Sequence, residues 1–116
     1  MNGPILEMIE GASFAFELLW ADESGAPIDL TGCVARFVIC PAVSSRALVS
    51  CSSGDGSVVL GGPAGTIAVT VAPERTAGLY SDSWKGARYE IRVEFAGGEV
   101  SSLLRGAVSM EAALTH

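Results

Sequence analysis

"RYEIRVEF", residues 88–95, is the stretch that decides the fold class. Tyr89, Ile91, Val93 and Phe95 fall on one side of an extended chain, and Arg88, Glu90, Arg92 and Glu94 fall on the other. This is the two-residue period of a half-buried β-strand. Water or a neighbouring subunit must cover its charged side, so Arg88, Glu90, Arg92 and Glu94 form a candidate interaction face. Gly97-Gly98 then turns the chain into "EVSSLLRGAVSMEA", read as the partner strand of a terminal hairpin.

The same period recurs upstream. "GTIAVTVA" sets Ile67, Val69 and Val71 against Thr66, Ala68 and Thr70. "ASFAFELLWAD" aligns Phe14, Phe16, Leu18 and Trp20 on one face. "VARFVIC", residues 34–40, reads as a strand buried on one side and nearly so on the other. "ALVSCSS" and "SVVLGG" read as short strands joined by a hairpin or loop at Gly54-Asp55-Gly56. One segment breaks the pattern. "APERTAGLY" has Pro73 where a helix could begin and Gly78 where it could end, which predicts a short helical crossover between sheets. Trp84 follows, placed to plug one end of the core. About seven to eight antiparallel strands with frequent turns predict an all-β sandwich, with an open barrel as the competing closure.

The 116 residues suit a single domain spanning 1–116, and a hydrophobic content of 49% can fill its core. A net charge of −6 argues against nucleic acid and against an anionic membrane as partners. No apolar run approaches the length of a membrane span. "MNGPILEMIEG" lacks a basic leader and carries Glu7 within its apolar stretch, so no signal peptide is expected and synthesis is expected in the cytoplasm.

Catalytic chemistry finds little to stand on. The one histidine, His116, is the last residue, a poor place for a general base. Cys33, Cys40 and Cys51 form no C-x-x-C pair and no zinc set. The carboxylates are scattered, and Asp22 and Glu23 do not match a calcium loop. No Gly-rich phosphate loop is present. The expectation is a chain without enzymatic activity, metal or cofactor. Cys33 and Cys40, seven apart, face opposite sides of any regular strand. Cys40 and Cys51 stand as candidate intersubunit thiols outside a reducing cell.

"GAPIDLTG", residues 25–32, reads as a corner between two strands. Gly25 permits a positive-φ turn and Pro27 fixes the exit. Leu30 points inward with Ile28, while Asp29 and Thr31 can bond nearby backbone groups.

The corner and its flanks also carry a resemblance. "GASFAFELLWADESGAPIDLTGCVARFVICPA" is similar to the start of a family of small virion proteins of tailed bacteriophages and prophages. "GTIAVTVAPERTAGL" resembles the family's Gly-x-Ile strand and threonine-bearing turn, and "WKGARYEIRVEFAGGEVSSLLRGAVSMEAALTH" resembles its ending. The likeness keeps its order over nearly the whole chain. Cys33 departs from the usual aromatic residue and Cys40 from a frequent arginine. Such proteins resemble the immunoglobulin-like N-terminal domains of phage baseplate proteins. The resemblance implies an immunoglobulin-like sandwich, a structural role in the tail, baseplate or fibre-attachment region of a virion, and other virion proteins as partners in a multicopy assembly. It supplies no catalytic residues. A capsid decoration protein of the same fold is the near alternative. A carbohydrate-binding module is the distant one, with Tyr80 and Trp84 as the aromatics available to a glycan.

Overall fold

The computed structural model describes residues 3–42, 44 and 46–114. Eight strands form two sheets. In chain order they are β1 (Leu6–Ile9), β2 (Phe14–Leu19), β3 (Val34–Cys40), β4 (Val49–Ser52), β5 (Val58–Leu60), β6 (Thr66–Val71), β7 (Arg88–Glu94) and β8 (Val100–Glu111). One sheet has the order β1-β8-β7-β3-β4 and the other β2-β6-β5. The architecture is a sandwich, not a barrel. Strands β3, β7 and β8 stand as C, F and G do in an immunoglobulin domain, with β4 added beside β3 as in the variable type. The fold is immunoglobulin-like.

The alternation read in the sequence sets the layers. Tyr89, Ile91 and Val93 of β7 are buried against Ala35, Phe37 and Ile39 of β3. Ile67, Val69 and Val71 of β6 face them from the other sheet. Antibody domains bridge their sheets with a disulfide packed on a tryptophan. Here aromatic rings make the crossing. Phe16 meets Phe37 edge-on at 5.5 Å between centroids, and Phe37 lies 6.0 Å from Tyr89. Burying three rings supplies a large apolar area and geometric specificity to the contact. The Tyr89 hydroxyl donates to the Pro4 carbonyl at 2.7 Å, which ties the segment before β1 to β7.

Two expectations are corrected, on strand direction and on the outward side of β3. The strands are not all antiparallel: β1 runs parallel to β8, from Leu6 opposite Val108 to Ile9 opposite Glu111. Of the two readings of Gly54-Asp55-Gly56, the loop holds and the hairpin does not. β4 and β5 belong to different sheets, and the Gly54–Gly56 segment carries the chain across. The outward side of β3 is not nearly buried, because Val34 and Arg36 are exposed there and Val38 and Cys40 half-buried. The short helical crossover between the sheets is present as expected, as a single 3₁₀ turn, Pro73–Arg75, and two further 3₁₀ turns span Gly62–Ala64 and Asp82–Trp84.

Trp84 plugs the core end from the last of these turns. It is buried, and its indole Nε1 donates to the Leu79 carbonyl at 3.1 Å. Thr76, a buried polar residue on the crossover, accepts the Gly11 amide at 2.9 Å through Oγ1 and fastens the β1–β2 turn to it.

Candidate interaction face

The charged side chains of β7 point out of the five-stranded sheet, away from the core. Arg88, Arg92 and Glu94 are exposed and Glu90 is half-buried. The neighbouring strands complete the surface. The register places Arg36 of β3 opposite Arg92, and Arg105 of β8 opposite Glu90. Four arginines thus share one sheet face. Arg36 and Arg105 were not legible from β7 alone, because only the strand pairing brings them alongside.

Glu90 organises this surface. It takes an ion pair from Arg92 at 3.0 Å, another from Arg105 at 3.3 Å, and a hydrogen bond from the Ser102 hydroxyl at 2.8 Å. Exposed ion pairs add little stability. Their consequence here is order: two long side chains are held over the sheet. Arg36 and Arg88 have no carboxylate partner among the described residues. A shallow groove of about 520 Å³ runs beside Arg88, with Cys40, Glu90 and Arg105 also in its lining. The arrangement can hold carboxylates by charge-assisted hydrogen bonds.

The candidate thiols separate. Cys40 is half-buried in that groove. Cys51 is corrected: it lies opposite Phe37 in register, 1% exposed, with its thiol in the core. Burial pushes the Cys51 thiol up from its ordinary pKa, further lowering its reactivity. It is therefore no intersubunit thiol in the folded chain. Mild alkylation of the native protein, read by peptide mass spectrometry, is expected to label Cys40 and spare Cys51 until the fold is denatured. Equal labelling of both would mean that β4 opens in the native state.

The corner also takes its expected form, and its partner is new. Gly25 has φ +88°, and Asp22 Oδ1 accepts from the Ser24 and Ala26 amides at 2.9 and 3.0 Å. Asp29 Oδ1 accepts the Thr31 amide at 2.9 Å and its hydroxyl at 2.6 Å. Pro27 is exposed and Leu30 is buried. The corner docks on the Gly62–Gly65 turn: the Trp20 amide donates to the Gly65 carbonyl at 2.8 Å, and the Leu30 amide to the Gly62 carbonyl at 2.9 Å.

Hydrogen bonds from Ser24 and Thr31 hold the Asp22 and Asp29 carboxyls below the usual aspartate range. A depressed folded-state pKa gives stability that is present above the unfolded value and lost as pH falls through the folded one. NMR titration of the carboxyl carbons is expected to place both midpoints below that of free aspartate. Midpoints at or above it would mean that the two turns do not persist in solution.

Of the two aromatics offered for a glycan, Trp84 is buried and Tyr80 exposed. His116 lies outside the described residues. No helix among the described residues is long and apolar enough to cross a membrane.

No family model matches the chain, and neither does any curated protein. Similar solved structures include Tim-1, at 12% identity with 98% of each chain covered and a TM-score of 0.42. Drosophila OTK extracellular domains 3–5 match at 16% identity over 97% of this chain, with a TM-score of 0.40. The chain spans 34% of the length of that OTK structure.

Proposed function

We propose that this chain is a non-catalytic structural protein of a tailed-phage virion. It belongs in the tail, baseplate or fibre-attachment region and works by contacts with other virion proteins. The contact surface is the arginine-bearing face of the five-stranded sheet. One observation carries the reading. Two separated motifs of the phage-like pattern, the Gly-x-Pro-Ile-Asp-Leu-Thr-Gly corner and the Gly-x-Ile strand start, meet in the fold. The first docks on Gly65, which opens the second. Motifs that touch form one structural unit, and that supports the resemblance as one of fold, from which the role is proposed.

Mass spectrometry of purified particles, with immunogold labelling, tests the proposal. The protein is expected in the particles, with label at the tail tip or collar. Label over the head would replace this reading with a capsid decoration protein. Absence from the particles would remove both.

A further inference from the structure

We infer that the arginine-bearing face binds the acidic end of a second copy of this chain, in a head-to-tail contact. This rests on the reading of that face as a contact surface and names its partner.

Charge is unevenly distributed over the molecule. Of the seven Lys and Arg residues, Arg36, Arg88, Arg92 and Arg105 cluster on one sheet face around Glu90, with Glu94 at one end of the cluster and Glu7 and Glu111 apart from it at the β1 edge of the same face. The rest of the molecule is the reverse. Residues 1–35 contain six carboxylates and no Lys or Arg, so the whole net charge of −6 resides in them.

Much of that acid is gathered at one end of the sandwich. The corner and the β7–β8 turn come together there, with Trp20 and Phe95 in ring contact at 5.7 Å. The Gly62–Gly65 turn joins them through the Leu30 and Trp20 amides. Besides Glu94, which borders the arginine face, these three segments, 20–33, 61–65 and 94–100, hold four carboxylates and no Lys or Arg. Asp22 and Asp29 are fixed there by their turns, and Glu23 and Glu99 are exposed beside them.

The acidic loops cap the strand ends, whereas the arginines project out of the sheet plane. The two surfaces of one molecule therefore point in different directions and meet only between copies. A symmetric pair stacked over the arginine cluster of β3 and β7 would set arginine against arginine and is disfavoured by the same charges. The contact joins unlike surfaces, so it repeats into a ring or an open filament. A polyanion such as nucleic acid meets these arginines only against the net negative charge of the whole chain.

Sedimentation velocity of the intact chain at low and high salt tests the inference. Wild type is expected to associate at low salt and to dissociate as the charges are screened. Arg36→Glu with Arg88→Glu, and separately Glu23→Lys with Glu99→Lys, should each weaken self-association by at least about tenfold. None of these four side chains fixes a turn or pairs with Glu90, so circular dichroism should report native folding for both variants. Mixed in equal amounts, the two variants should associate again, because each restores the opposite charge for the other.

A wild type that stays monomeric at low salt would overturn the inference. So would variants that self-associate like wild type, or folded variants that stay apart when mixed. A monomer in solution that is nonetheless found in particles removes the head-to-tail contact and leaves the virion role standing. A self-associating chain absent from particles does the reverse.

Discussion

Replacing Phe37 by alanine lowers the stability of the fold by about 3–5 kcal/mol. The ring is fully buried and stands between Phe16 of the opposite sheet and Tyr89 of the adjacent strand. The cost combines the lost transfer of an aromatic side chain from water with the void that remains. Strand β3 cannot slide to fill the void, because it is paired to β7 from Val34 to Cys40 and to β4 from Arg36 to Ile39. None of the three cysteines forms a disulfide to hold the two sheets. Against a typical total of about 5–15 kcal/mol, the variant loses a large share of its stability. Urea denaturation should show a lower midpoint with an unchanged slope. A loss below about 1 kcal/mol would mean that the aromatic crossing is not what joins the sheets.

Gly65→Ala is expected to cost about 2–4 kcal/mol, and it tests the corner instead of the core. Gly65 is buried at φ +70°, a region that disfavours a Cβ. The added carbon would also lie 2.7 Å from the Trp20 carbonyl oxygen and 3.1 Å from that of Ile28. These are backbone atoms, and the Trp20 carbonyl already accepts the Ile28 amide at 2.9 Å. The corner must therefore lift from the turn. Gly25→Ala supplies the control. Gly25 has φ +88° with nothing within 4 Å of a new Cβ, so only the conformational cost of about 1–2 kcal/mol applies. Equal losses in the two variants would show that docking of the corner on Gly65 contributes nothing.

The strands were readable because burial imposes a period, and the period survives in the residues themselves. Tyr89-x-Ile91-x-Val93 and Ile67-x-Val69-x-Val71 state which way each side chain points. They do not state which strand lies next. Pairing is decided by partners far away in sequence, and that is where the reading failed. Nothing in "LEMI" says that β1 will lie parallel to β8 rather than beside β2. Gly54-Asp55-Gly56 suits a hairpin as well as it suits a crossing between sheets. The register shift between Ile91 and Arg92, which puts Ser102 opposite Arg92 while Leu104 stays opposite Ile91, leaves no local mark.

The same limit applies to the site. Arg88 to Glu94 could be found because they lie on one strand, whereas Arg36 and Arg105 became members of the face only through register. Cys51 was misjudged for a related reason. In "VSCS" the alternation does set Cys51 on the side of Val49, away from Ser50 and Ser52, but four residues are too few for that period to stand out before the pairing with Phe37 is known.

The most direct test of the account is incorporation of Arg36→Glu, Arg88→Glu protein into assembling particles, with its melting temperature measured alongside. A melting temperature close to that of wild type and a clear drop in copies per particle are expected. Unchanged incorporation would contradict the account, as would a melting temperature that falls steeply and so places these arginines in the service of folding rather than contact.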